Sequence, residues 1–323
     1  MLSESNHLVP TEDGWLLSLT QSSSDALDPT RRPLVVVPGY GMNAFIFGYH
    51  PAGTSMVRCL CEAGFEVWTA NLRGQGASRR ARAAAPEPAF LDYARFDIPA
   101  VLKAVTRRTR TERSDVSVIG ASLGGSITYA SLALGHAPQV GALVAVGSPM
   151  RWEGMHPALR AAFASPKLAG AVTFSRTRSL AEKLFPMLLR APSLLTPYVN
   201  ADNVPREAIG ELVRTIEDPV PGVNRAIAEW VQAGDLVLGG VNVTSALSDV
   251  RAPLLLVLAN RDGIVPDASA LSAERAWGGQ VDTLRVGTEA RWYAHADLFI
   301  GRHAPEDMFA PLAAWLVEND AEA

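Results

Sequence analysis

Three side chains in this sequence have the types and the order to carry out acyl transfer: Ser122, Asp262 and His295. A serine hydroxyl is a weak nucleophile until a base takes its proton. An imidazole can take that proton at neutral pH and later give it to a leaving group. A carboxylate that accepts the second imidazole N–H fixes the tautomer and stabilises the imidazolium. Nucleophile, acid, histidine is one of several chain orders in which such a set occurs. Ser122 stands at the centre of Gly120-Ala121-Ser122-Leu123-Gly124, a G-x-S-x-G pattern. In a tight strand-to-helix turn this pattern presents the serine Oγ at a helix start, where free N–H groups favour a developing negative charge. Side chains two residues either side of the serine would clash in that turn, and Gly120 and Gly124 have none. The N–H of Leu123 is expected as one donor to the oxyanion. The N–H of Tyr40, in Pro38-Gly39-Tyr40-Gly41-Met42-Asn43, is expected as the second.

Other residues of the same types compete for these roles. Asp297 lies two residues from His295, too close in sequence to orient it, and is expected to shape the loop. His303 falls in a polar stretch before the last helix and reads as a surface residue. His50, near the Tyr40 segment, is a candidate for substrate contact. No H-x-x-x-H pair, acidic calcium loop or dinucleotide fingerprint accompanies the set, so neither a metal nor an organic cofactor is expected.

The elements around these residues alternate. Val116–Ile119 is short, apolar and β-branched, which reads as a buried strand, and Ile127–Leu134 carries apolar residues at helical spacing. Leu34–Val37, Phe65–Ala70, Val140–Val146, Leu254–Ala259 and Thr283–Val286 read as further strands, with Asp13-Gly14 turning a hairpin ahead of them. Helices are expected at 54–64, with Gly64 as its C-cap, from Phe96 with Asp97 near its N-terminus, around 267–276, and from Pro305 to Val317. The turn-rich stretch Asn71–Ser78 reads as scaffold. The pattern predicts an α/β fold: a mostly parallel sheet flanked by helices. From Met150 the rhythm changes. Residues 151–245 show no strand pattern but helical stretches at 156–164, 179–190, 205–217 and 223–234. They are expected to form a helical cap inserted into a core domain made of 1–150 and 246–323.

Composition narrows the function. The chain has 323 residues, 48% of them hydrophobic, and a formal net charge of −4, so nothing suggests a nucleic-acid partner. Cys59 and Cys61, the only two cysteines, cannot easily bridge to each other and read as small residues on a helix. The first residues lack a basic and an apolar region, and no run of 18 apolar residues occurs, so neither a signal peptide nor a membrane span is expected. The expected location is cytoplasmic.

Several segments together resemble the α/β-hydrolase superfamily, and within it the acid lipases and the hydrolases related to polyhydroxyalkanoate synthases. They are Thr11-Glu12-Asp13-Gly14, Gly64-Phe65-Glu66-Val67-Trp68 with Asn71 and Arg73-Gly74, Phe96-Asp97-Ile98-Pro99-Ala100, the Ser122 turn, and His295-Ala296-Asp297-Leu298-Phe299. The last resembles the H-x-D-F segment that carries the lipase histidine, which supports His295 over His303. The chain departs from the lipases in three places. Pro38-Gly39 stands where they have His-Gly, Ala121 where they have His before the serine, and the cap is short. The resemblance implies serine ester hydrolysis more than it implies triglycerides, and Ser122 in place of the synthases' Cys argues against polymer synthesis. The expected function is cleavage of a carboxylic ester through an acyl-enzyme on Ser122, and the apolar helices of the cap suggest a medium or long acyl group or another hydrophobic ester. An acyltransferase or thioesterase on the same three residues is the alternative, distinguished by whether an added alcohol or amine outcompetes water.

Overall fold

The computed structural model describes residues 1–83, 85, 87–172, 176–188, 195–205 and 210–320. Among these, nine strands form one sheet. In chain order they are β1 (Ser3–Pro10), β2 (Trp15–Ser23), β3 (Leu34–Val37), β4 (Val67–Asn71), β5 (Arg79–Arg80), β6 (Val116–Ala121), β7 (Val140–Val146), β10 (Leu254–Ala259) and β11 (Val281–Val286), while the separate pair β8 (Val237–Leu238) and β9 (Val241–Asn242) makes a small hairpin. The order across the sheet is β1-β2-β4-β3-β6-β7-β10-β11, with β5 on β2. From β4 to β11 every neighbour is parallel; β1, β2 and β5 are antiparallel additions at one edge.

The parallel strands read as unbroken apolar runs because both of their faces are buried. Alternate residues divide between two cores. Val35, Val37, Leu254, Leu256 and Leu258 join the core that also holds the helices Ile98–Arg108 and Leu123–Ala133. Leu34, Val36, Leu255, Val257 and Ala259 join the opposite core, with the helices Met56–Glu62 and Ala310–Asp320. Helices therefore cover both faces.

Several expectations shift on the structure. The helix expected at 54–64 runs Met56–Glu62 with Ala63 as its cap, and Gly64 follows at φ +96°, a left-handed position that favours glycine. Asp97 is not near a free helix start. The chain is already helical from Phe90, passes through a π-turn at Tyr93–Asp97 and continues as Ile98–Arg108, and the Asp97 carboxylate instead accepts from Arg73. Within 151–245 the described helices include Pro157–Ala162, Pro166–Ala169, Thr177–Leu188 and Pro221–Ala233; the stretch expected at 205–217 ends in a 3-10 turn at Val213–Thr215. Residues 189, 190 and 206–209 of the expected helices lie outside the described residues. The β8–β9 hairpin was not expected there, because two-residue strands are too short to show an alternating pattern. The expected helix at 267–276 is shorter, Asp267–Leu271, and the last one opens with a π-turn at Pro305–Phe309.

Cys59 and Cys61 are both free thiols on the helix Met56–Glu62. Among the described residues no helix is long and apolar enough to cross a membrane.

Candidate active site

All the expected site residues lie just beyond the carboxyl ends of parallel strands, where loops converge in an open α/β sheet. Tyr40 follows β3, Ser122 follows β6, Asp262 follows β10 and His295 follows β11.

Ser122 joins β6 directly to the helix Leu123–Ala133, at φ 52° and ψ −123°. This is a sparsely populated conformation for a residue with a side chain, and the surroundings must hold it there. Its N–H donates to the Val146 carbonyl at 2.7 Å, anchoring the turn to the end of β7. The glycines are required by close approach. A Cβ on Gly120 would come 2.4 Å from Gly125 Cα, and one on Gly124 would come 2.4 Å from the Val37 carbonyl oxygen. The segment 38–43 reaches the same turn, where a Cβ on Gly39 would stand 2.8 Å from Ser122 Cβ.

His295 Nδ1 and Asp262 Oδ2 are 2.6 Å apart, and both side chains are largely buried. The other oxygen, Asp262 Oδ1, accepts from the N–H groups of Ile264 and Val265 at 2.8 Å each. The carboxylate is thus fixed by its own loop before it meets the imidazole. Asp297 serves that loop differently. It is fully buried and accepts from Ala294 N–H at 2.9 Å and from Asn200 N–H. Burial raises its carboxyl to about 7 against these favourable bonds.

Ser122 and His295 face one cavity of about 250 Å³, together with Tyr40, Leu123, Trp152, Leu159, Phe163 and Ile227 among others; no aspartate or glutamate is among the described residues that line it. Residues from 151–245 thus form one side of it. Neither the Tyr40 nor the Leu123 N–H has a hydrogen-bond partner among the described residues, so both are free to serve a ligand. The Tyr40 hydroxyl donates to Asn224 Oδ1 on the helix Pro221–Ala233, and Glu217 N–H donates to the Gly41 carbonyl at 2.8 Å. These contacts tie the 38–43 segment to the 151–245 segment.

The other candidates lie elsewhere. His50 is buried and does not line this cavity: its Nε2 lies 3.0 Å from the Gly301 carbonyl and its Nδ1 accepts from Ala52 N–H. That arrangement is structural. His303 lies by Glu306, with Nδ1 3.3 Å from its carboxylate. Among the described residues no group of three or more His, Cys, Asp or Glu side chains is placed to hold a metal ion.

Two contributors were not singled out from sequence. Gly147 follows β7 at φ 54°, and a Cβ there would stand 3.1 Å from His295 Cε1, so any side chain would press on the imidazole. A glycine closing a buried strand was the available signal. Asn224, which holds Tyr40, gave none, because it is one polar residue on an otherwise amphipathic helix.

Comparison with known proteins agrees with this architecture. The family model described as serine aminopeptidase, S33, matches residues 29–291. Human lipase member M is 28% identical over 131 residues, 38% of this chain and 30% of that protein. Rat gastric triacylglycerol lipase is 26% identical over 132 residues, 38% of this chain and 33% of that one. The chain thus spans about a third of the length of the curated relatives it matches. Among solved structures, the 2-hydroxy-6-oxo-6-phenylhexa-2,4-dienoate hydrolase of a Rhodococcus species aligns with a TM-score of 0.62 at 17% identity, over 99% of each chain. An esterase of Exiguobacterium antarcticum aligns at 0.61 and 15%, over 97% of this chain and all of that one. At these identities the two structures speak to the fold alone. A parallel sheet with its loops gathered at one end, and a family match over most of the length, lead to one conclusion: the chain has the α/β-hydrolase fold and belongs to the family described as serine aminopeptidase, S33.

Proposed function

We propose that this hydrolase cleaves carboxylic esters with a hydrophobic acyl group, through an acyl-enzyme on Ser122. The observation that carries the reading is that Ser122 and the Asp262-paired His295 open onto the same apolar cavity. With Nδ1 engaged by Asp262, the free ring nitrogen of His295 is Nε2, and this is the atom that takes the Ser122 proton as Oγ attacks the ester carbonyl. The carbonyl oxygen becomes an oxyanion, which the N–H groups of Leu123 and Tyr40 stabilise. Collapse expels the alcohol, which takes the proton from His295. A water then repeats the sequence and frees the acid.

The cavity also argues for the substrate class. An aminopeptidase must hold the cationic amino terminus of its substrate, and a buried cation needs a carboxylate or equivalent acceptors. Among the described residues the cavity lining offers no carboxylate, whereas its tryptophan, phenylalanine, leucine and isoleucine side chains suit an alkyl or aryl acyl group. Trp152, Met155, Leu159, Phe163, Tyr198 and Ile227 act as part of a cap over it.

Ser122→Ala tests the proposal. Turnover of p-nitrophenyl esters and covalent labelling by a fluorophosphonate should both disappear. Retained turnover in that variant would refute the assignment.

A further inference from the structure

The turn after β4 is tied to the 38–43 segment through Gln75. Gln75 is almost fully buried and bridges two backbone groups. Its Oε1 accepts from Leu72 N–H at 2.8 Å, and its Nε2 donates to the Gly39 carbonyl at 3.2 Å. The amide orientation follows from the partners, since an N–H can only face the amide oxygen and a carbonyl only the NH2 group. The turn is itself braced. Gln75 N–H donates to the Leu72 carbonyl at 3.0 Å, and Arg73 beside it is fully buried between Asp97 and Asp13. Gln75, Gly39, Tyr40 and Leu123 border one small cavity of about 20 Å³, so the tie shares that space with the two residues whose N–H groups are assigned to the oxyanion.

Gly39 has no side chain because Ser122 Cβ occupies that space. Glycine also leaves the peptide between residues 39 and 40 free to rotate. In a trans peptide the carbonyl of residue 39 and the N–H of residue 40 point in opposite directions, and no cis bond occurs among the described residues. Whatever fixes one therefore aims the other. If the peptide turned over, the Gly39 carbonyl oxygen would face the developing negative charge.

We propose that Gln75 is a positioning residue that aims the Tyr40 N–H at the oxyanion by holding the Gly39 carbonyl. The proposal rests on the serine ester-hydrolase reading above. Gln75 touches no substrate; it acts through the backbone.

Gln75→Glu keeps an oxygen for Leu72 N–H and, at a pH where it is ionised, places an acceptor against the Gly39 carbonyl; a protonated glutamate would restore the donor, so the kcat deficit should grow as pH rises. Gln75→Met removes both bonds at similar volume and serves if the first variant does not fold. Each is compared with wild type on a p-nitrophenyl ester, with thermal melting recorded alongside. The expected result is a roughly 10- to 100-fold lower kcat with KM within about twofold, since removing an oxyanion donor outright costs about 10²–10³. Inhibition by a trifluoromethyl ketone, whose adduct carries the oxyanion, should weaken by a similar factor. A folded variant with wild-type kcat and inhibitor affinity would overturn the role of Gln75, as would equal losses in KM and kcat. If Ser122→Ala abolishes activity while the Gln75 variants do not reduce it, only this inference falls. If Ser122→Ala retains activity, the ester-hydrolase reading falls first.

Discussion

Asp262 meets His295 with one carboxylate oxygen, 2.6 Å from Nδ1, while its second oxygen is already held by two N–H groups of its own loop. The carboxylate therefore cannot swing, and neither can the imbalance between the two imidazole nitrogens that it creates. Asp262→Asn preserves the size and one acceptor but can offer an N–H to Nδ1, which favours the wrong tautomer. The expected outcome is a fall in kcat of about 10⁴ with little change in KM, by analogy with the same change in other serine hydrolases. Steady-state kinetics on a chromogenic ester measure it.

The backbone at Ser122 should be a measurable cost to stability. At φ 52° and ψ −123° a residue with a Cβ is strained by about 1–3 kcal/mol, and glycine is not. Ser122→Gly and Ser122→Ala should both be inactive, yet the glycine variant should unfold at higher denaturant. Urea titration followed by circular dichroism gives the comparison. A glycine variant that unfolds at lower denaturant than the alanine variant, as its more flexible unfolded chain alone would make it, would show that the turn carries no strain.

Asp297 predicts a pH dependence. Burial raises its folded value to about 7 from 3.8. Between these values the folded chain keeps a proton that the unfolded chain has released, so this residue's contribution to stability falls as pH rises through about 4 to 7. Asp297→Asn removes the titration. The difference in unfolding free energy, wild type minus variant, should decline over that window by at most ~4 kcal/mol. Buried Asp97 also rises, to about 6, but is present in both proteins and drops out of the difference.

Leu159, on the helix Pro157–Ala162, lines the cavity beside Trp152 and Phe163. Leu159→Trp adds volume to a space of about 250 Å³. The optimum in a series of p-nitrophenyl esters should move to a shorter acyl group, with acetate turnover close to wild type. An unchanged optimum would place the acyl group elsewhere.

The sequence by itself determined the features whose cause is local. The apolar runs Leu34–Val37 and Leu254–Leu258 announce strands because burial on both faces leaves no polar positions. The turn at Ser122 is legible because the glycines it needs lie within two residues of it. Asp262 could be preferred to Asp297 because Asp297 lies only two residues from His295, too close in sequence to orient it.

Only the tertiary structure decided what reaches across the chain. Gln75 meets Gly39 over 36 residues, Tyr40 meets Asn224 over 184, and Asn200 meets Asp297 over 97. No periodicity joins such pairs, since each depends on how separate loops pack at one end of the sheet. Asp97 shows the same thing in a single residue. Its position suggested a helix start, but a buried guanidinium needs carboxylates around it, and Arg73 claims Asp97 from 24 residues away.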